Sequence, residues 1–271
     1  VLIMRLEILG SSLALALALL LLLAWRWRIR ISIAAVSATV IGGLTGLVVN
    51  LIDSALVGLN VAVLVVLELS CILLITFLLI IARFYRDPER YPTETENVIL
   101  APADGKVIYV NNLKKGSSLV STKGGRQFKL EEIMATDLLA HAAYLIGIDM
   151  NMLNVHVNRS PIAGKTIFWR RTKGKFISLR RPESEIVNER VTTIISNGPL
   201  RVGVIQIASR LVRRIESYVK EGDNLELGQR IGAIVFGSQV DLVIPQLEKL
   251  RLEVGPGDEV KAGVSVIARY G

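Results

Sequence analysis

The sequence predicts a mainly β body with short helices, a β-sandwich or barrel-like hybrid, preceded by an α-helical transmembrane anchor. Three observations predict it. Long apolar runs are confined to the first 82 of 271 residues, which hold four Arg or Lys and three Asp or Glu and leave 28 basic and 21 acidic residues to the remainder. From residue 98 onward, short β-branched segments alternate with glycine and proline. Toward the C-terminal end a Gly-Asp turn pattern occurs twice, 35 residues apart. The lone cysteine, Cys71, lies in an apolar run, which excludes a disulfide scaffold, and the apolar head argues against a purely soluble enzyme.

The apolar runs cover residues 8–25, 31–52 and 60–82. At 1.5 Å rise per residue each crosses, or nearly crosses, a hydrocarbon layer of about 30 Å. Arg26, Arg28 and Arg30 follow the first run, Arg83 and Arg86 follow the third, and Asp53 is the only charge between the second and third. With both arginine clusters on the cytoplasmic side of a cell membrane, the amino terminus lies outside and the body is cytoplasmic. A signal peptide over residues 1–25 fits poorly, because that stretch runs into Trp25-Arg26-Trp27-Arg28 and has no small-residue cleavage site. Glu68, in the middle of the third run, is costly in lipid unless paired, protonated or turned toward another helix, and helix packing is its expected role. Residues 87–97 are polar, contain two prolines and read as an exit linker, giving an anchor over 1–86 and a body over 98–271.

In the body, β-like pieces are expected at 98–100, 106–110, 165–170, 192–196, 202–207 and 232–236. Residues 131–143 have helical character, and 208–215 read as a short amphipathic helix carrying Arg210, Arg213 and Arg214. The repeated pattern, Val219 to Gly228 and again Val254 to Gly263, predicts compact β-hairpins that stack their apolar faces. The excess of basic residues in the body suits an anionic membrane surface or nucleic acid; the adjoining membrane segment favours lipid, and no nucleic-acid reading motif accompanies the dispersed charges.

Two histidines are present, so histidine chemistry has two candidates. His141 lies in a bland apolar stretch, whereas His156 sits in Leu153-Asn154-Val155-His156-Val157-Asn158-Arg159-Ser160-Pro161, where alternation predicts a strand ending in a turn. The sequence has no Cys and His spacing for a metal, no Walker loop and no Gly-x-Ser-x-Gly elbow. Asp104, before Gly105, reads by itself more readily as a turn residue than as a functional carboxylate, and Ser238, after Gly237, is locally unremarkable.

At these residues the chain resembles the phosphatidylserine decarboxylase family, particularly its shorter form, which includes enzymes acting on archaetidylserine. The matching pieces are Phe84-Tyr85-Arg86-Asp87-Pro88-Glu89-Arg90, Pro102-Ala103-Asp104-Gly105-Lys106-Val107, Asn154 through Gly164, Gln206-Ile207-Ala208 with Arg213-Arg214-Ile215, and Phe236-Gly237-Ser238-Gln239-Val240-Asp241. They occur in family order across residues 84–245.

The resemblance implies a proenzyme that cuts itself and keeps the new terminus as its cofactor. Carried over residue by residue, Asp104 resembles the orienting carboxylate, His156 the general base, and Ser238 the nucleophile that attacks the carbonyl of Gly237. Cleavage between Gly237 and Ser238 gives a β chain, 1–237, and an α chain, 238–271, whose first residue becomes a pyruvoyl group. That group serves as electron sink while carbon dioxide leaves the phosphoserine headgroup of a phospholipid, archaetidylserine or phosphatidylserine, to give phosphoethanolamine. The implied partners are a serine-headgroup phospholipid, the bilayer and a second copy in a homodimer, with no metal and no nucleic acid. Two departures stand out: Leu153 occupies the position of an additional histidine in the longer form, and Gln239 replaces the Thr or Ser that often follows the nucleophile. Arg159, Arg210, Arg213 and Arg214 are candidate phosphate or membrane-surface contacts, the alternative being a solvated charged face. A membrane-anchored lipid-binding or adaptor protein without processing is the competing reading. A carrier module would present a modifiable lysine at a hairpin tip, where Gly-Asp stands here.

Overall fold

The structure is a computed structural model describing residues 5–27, 29–56, 58–113, 120–123, 126–129, 143–173, 189–208, 214–235 and 238–271. His141, Arg210, Arg213, Gly237 and most of the two expected body helices lie outside the described residues; at 120–123, 126–129 and Ser238 the backbone alone is described. The chain divides into two compact units, Val1–Phe84 and Tyr85–Gly271.

The first unit contains three helices long and apolar enough to cross a membrane: α1 (Leu6–Trp27), α2 (Ile31–Ala55) and α3 (Val61–Phe84). Lipid gives apolar side chains no reason to leave it, so close backbone approach and polar contacts hold such helices together. Helix α2 presents a small-residue stripe, Ala34, Ala38, Gly42 and Gly46, to its neighbours. A Cβ added at Gly42 would stand 2.8 Å from the Leu13 backbone, so glycine sets how closely α1 and α2 approach. Glu68 is 1% exposed and accepts hydrogen bonds from Ser11 Oγ at 2.6 Å and Ser12 Oγ at 3.0 Å, so it faces another helix rather than lipid. Asp53 pairs with Arg5 at 3.1 Å and accepts from the Leu59 amide at 2.7 Å, closing the end where α2 turns into α3.

The second unit is antiparallel β throughout its described strands. In chain order these are β1 (Val98–Leu100), β2 (Gly105–Leu113), β3 (Val120–Lys123), β4 (Arg126–Lys129), β5 (Ala143–Met150), β6 (Val157–Arg159), β7 (Gly164–Thr172), β8 (Arg190–Asn197), β9 (Leu200–Ile207), β10 (Ile215–Ser217), β11 (Asn224–Leu225), β12 (Arg230–Ile234), β13 (Ser238–Pro245), β14 (Arg251–Leu252), β15 (Glu259–Val260) and β16 (Val266–Arg269). One large sheet has the order β11-β7-β8-β9-β13-β5-β2-β15, and the small sheets β1-β16-β14 and β10-β12-β6 share its main core. Ile146, Ile148, Val204, Val240 and Leu242 from the large sheet join Ile99, Ile215, Ile231 and Ile267 from the small ones there. A second cluster, Leu145, Ile194, Ile205, Ile207 and Val243, lies on the opposite face by strand alternation. The expected sandwich-like β body is thus observed. Ala143 and Ile215, read as helix ends, instead open β5 and β10.

The sheet order is symmetric about β9 and β13, and the pairing registers make the two halves twins. Strands β2 and β7 each begin at a glycine, carry an irregularity at Val107/Tyr109 or Thr166/Phe168, and take one short partner, Glu259–Val260 or Asn224–Leu225. Gly105 (φ 152°) and Gly164 (φ 154°) occupy equivalent places, where an added Cβ would collide with the carbonyl of Asp149 or Ser196. Reciprocal bonds from Leu100 N to Pro161 O and from Arg159 N to Pro102 O, both 2.9 Å, join the halves. The strands flanking each repeated turn pair antiparallel, β10 with β12 and β14 with β16, while the turn between them reaches back to the large sheet. Gly222 N donates to Thr166 O and Gly257 N to Val107 O, so each copy folds back on a strand of its own half. In this correspondence Asp104 matches Ala163, His156 matches Asn97, and Ser238 matches Leu200. The sites singled out in the sequence fall where the halves differ.

Candidate active site

Asp104 stands in the turn between β1 and β2, immediately before Gly105. Its carboxylate is enclosed by donors. Arg90 engages both oxygens, Nη1 with Oδ1 and Nη2 with Oδ2 (2.9 Å), while the Ala262 amide donates to Oδ1 at 2.9 Å and the Val155 amide to Oδ2 at 3.3 Å. Arg90 Nη1 also donates to the Ala262 carbonyl at 2.9 Å. Such a two-pronged, nearly buried ion pair fixes both side chains and holds its carboxylate in one orientation. Through Val155 it also fixes the backbone entering His156.

The chain reaches His156 through a tight turn, because Asn151 and Asn154 fold their side chains onto the local backbone: Asn154 Oδ1 accepts from Asn151 N (2.7 Å) and Asn151 Oδ1 from Leu153 N (2.8 Å). This turn shortens the strand expected at 153–159 to Val157–Arg159 and leaves His156 at its mouth. The ring Nδ1 lies 2.9 Å from the Asn154 carbonyl, an arrangement in which Nδ1–H donates and Nε2 is the basic nitrogen. His156 is 3% exposed, and burial holds its pKa down from 6.5 to about 4; the Asn154 carbonyl and the Asp104 charge oppose that shift, and the Arg86 charge adds to it. The ring is therefore neutral at physiological pH. Because the unfolded chain binds a proton between pH 6.5 and 4 that the folded one refuses, His156 contributes stability above 6.5 that is lost as pH falls toward 4. Thermal unfolding at stepped pH should show a loss of up to about 3 kcal/mol that His156→Leu removes.

Ser238 opens β13, with its backbone paired to Met150 of β5. His156 O accepts from Ile234 N at 3.1 Å, so the histidine is tied to the strand ending four residues before Ser238. The Asp104 carboxylate thus holds the Val155 backbone, and the His156 backbone holds Ile234 of β12. Gln239 and Asp241 follow, both fully buried. Gln239 Nε2 donates to Asp241 Oδ1 at 2.7 Å and to Tyr109 Oη at 2.9 Å, and Tyr109 Oη lies 2.9 Å from both Asp241 oxygens. This ring of hydrogen bonds gives the departure at Gln239 a physical account: its carboxamide pins the strand one residue after Ser238.

The arginines separate. Arg159 is not at the surface; it is 3% exposed, with its guanidinium donating to Gly228 O (3.0 Å) and Pro88 O (3.0 Å) and lying 3.4 Å from Asp87. Burial, with the neighbouring Arg230 charge, lowers its pKa from the usual value. Arg214 is exposed and pairs with Glu216 at 3.0 Å. Sequence reasoning missed the roles of Arg86 and Arg90: Arg86 donates to the Leu153 carbonyl at 2.8 Å, and Arg90 clamps Asp104. Asp87 and Glu89 between them bind Arg230 at 2.5 and 2.7 Å. The segment read partly as linker is therefore tied into the body. Its alternating Arg-Asp-Pro-Glu-Arg charges were the available signal.

The sequence profile for phosphatidylserine decarboxylase matches residues 77–268. A Methanocaldococcus jannaschii protein described as an archaetidylserine decarboxylase proenzyme is 38% identical over 193 residues, 71% of this chain and 91% of the relative. One so described from Methanothermobacter thermautotrophicus is 38% identical over 199 residues, covering 73% and 84%. A phosphatidylserine decarboxylase proenzyme from Pelodictyon phaeoclathratiforme is 35% identical over 187 residues, covering 69% and 77%. With the profile spanning the whole β body and relatives at this identity, the chain belongs to the phosphatidylserine decarboxylase family.

Proposed function

We propose that this chain is a self-processing decarboxylase that removes carbon dioxide from the serine headgroup of a phospholipid, with a pyruvoyl group made from Ser238 as its cofactor. Family membership makes it a phospholipid serine-headgroup decarboxylase. The observation that carries the finer reading is the set of ties joining Asp104 to Val155 and His156 to Ile234, with Ser238 paired to Met150, six residues before His156. In self-cleavage, neutral His156 takes the Ser238 hydroxyl proton, the oxygen attacks the Gly237 carbonyl carbon, and the peptide nitrogen leaves as the amine of residue 238. Elimination across the resulting ester releases the Gly237 carboxylate, and water then displaces ammonia to leave the pyruvoyl terminus. Asp104, held by Arg90, orients the histidine segment and offsets charge on the imidazole.

Position 238 suits such a group, because it begins a strand flanked on both sides and followed by buried, hydrogen-bonded Gln239 and Asp241. When present, a pyruvoyl carbonyl supplies the electron sink for decarboxylation. His156 is the candidate proton carrier at that stage, as Leu153 offers its carbonyl to Arg86 and no titratable side chain. After cleavage, residues 238–271 supply central strand β13 as well as β14, β15 and β16, so the α chain stays bound to the β chain, 1–237. The three spans hold the enzyme at the surface where its substrate resides, with the arginine clusters, and hence the body, on the cytoplasmic side. A homodimer is part of the same family reading.

The test is carbon dioxide release from vesicles containing either diacyl phosphatidylserine or ether-linked archaetidylserine. Release from at least one, with the ethanolamine lipid as product, is expected. Binding to both without release would favour the non-processing, lipid-binding alternative.

A further inference from the structure

We propose that the Asn158 carboxamide, aimed by Gln206, donates a hydrogen bond to the anionic oxygen at the reacting carbon; this rests on the decarboxylase reading above. Asn158 and Gln206 are 0% and 1% exposed and lie among aliphatic side chains of the main core. Gln206 Nε2 donates to Asn158 Oδ1 at 2.8 Å, which fixes the amide and turns its own N–H donors away. Among the described residues, the acceptor at Asn158 Nδ2 is the Met150 thioether at 3.9 Å, a weak partner for a fully buried amide. Leaving a buried donor so poorly matched costs stability unless a better acceptor arrives.

The twin half supplies an internal control. By register, Asn158 corresponds to Ile99 and Gln206 to Ile244, both completely buried. The same fold packs isoleucine at both places, so packing does not require the polar pair. The pair is also well located. Met150 is the strand partner of Ser238, Gln206 is the strand partner of Val240, and Asn158 follows His156 by two residues. Two anionic oxygens arise at such a place: that of the Gly237 carbonyl under attack, and the carboxylate of the bound headgroup. Both accept the same donor.

The experiment uses the full chain in detergent or vesicles, with Asn158→Ile, Asn158→Asp and the double variant Asn158→Ile/Gln206→Ile. Cleavage is followed by intact mass, decarboxylation on cleaved protein by kcat and KM with phosphatidylserine and archaetidylserine vesicles, and folding by thermal unfolding. Replacing a buried polar pair by the twin residues should leave the unfolding midpoint equal or higher. Loss of one oxyanion donor is expected to slow the chemistry by about 100-fold. Slowed cleavage assigns the donor to the Gly237 oxygen; normal cleavage with a raised KM assigns it to the headgroup carboxylate. Cleavage and decarboxylation within about threefold of wild type overturn the proposal, as does unfolding of the double variant, which would make the pair structural. A wild-type chain that neither cleaves nor decarboxylates defeats the decarboxylase reading itself, and the donor with it.

Discussion

Ser238→Ala leaves one uncut chain of 271 residues and no measurable decarboxylation, a loss of at least about 10,000-fold. On the proposed reading, removing the hydroxyl deletes the nucleophile for the Gly237 carbonyl, and with it the β-oxygen whose elimination would generate the pyruvoyl group. Among the described residues, its neighbours on the sheet, Gln239 along β13 and Met150 across from it, carry no hydroxyl. The fold should be unaffected. Position 238 is matched in the twin half by Leu200, which opens β9 in the same register, so the strand does not depend on serine. A gel and an intact mass on the purified variant check the first part, and carbon dioxide release the second. Cleavage at the wild-type rate would remove Ser238 from the chemistry.

Asp104→Asn is expected to lower stability by about 3 kcal/mol and to leave mostly uncut precursor. Among the described residues, the groups bonded to the carboxylate are donors: both Arg90 nitrogens and the amides of Val155 and Ala262. An asparagine accepts on one side only and turns an N–H₂ group toward donors on the other, while the nearly buried Arg90 charge loses its counterion. The Val155 tie then loosens, and the histidine segment with it. Adding Arg90→Leu removes the stranded charge and should restore most of the stability while cleavage stays slow. Denaturant unfolding and a cleavage time course on both variants separate the two effects. Full recovery of cleavage in the double variant would show that Asp104 matters only as a counterion.

The motif residues were singled out by the ordered family resemblance and not by local pattern, since an Asp before Gly105 and a Ser after Gly237 are locally ordinary. Their partners were not. Arg90 stands 14 residues from Asp104 in the chain, and the alternating charges of residues 86–90 do not say which carboxylate Arg90 clamps. Strand β5 was missed because Ala143–Met150 is buried on both faces and shows no alternation. Strand β13 was missed for a different reason: the polar residues that break its apolar pattern, Gln239 and Asp241, point into the body and are satisfied there by Tyr109. The internal symmetry showed in the sequence only as the two Gly-Asp turns, since the strands they return to share little beyond a glycine and a lysine, Gly105-Lys106 and Gly164-Lys165. A turn conserves the residues its backbone demands, whereas a strand needs only apolar bulk on the correct face. The anchor was legible throughout, apart from the partner of Glu68, which depends on how α1 and α3 meet.

The central claim is that Ser238 becomes a pyruvoyl group, and intact-protein mass spectrometry of freshly purified chain tests it most directly. A fragment of 34 residues, 238–271, carrying a pyruvoyl in place of an amino terminus, together with a fragment ending at Gly237, is the predicted result. A single full-length mass, or a 34-residue fragment that still begins with serine, would contradict it.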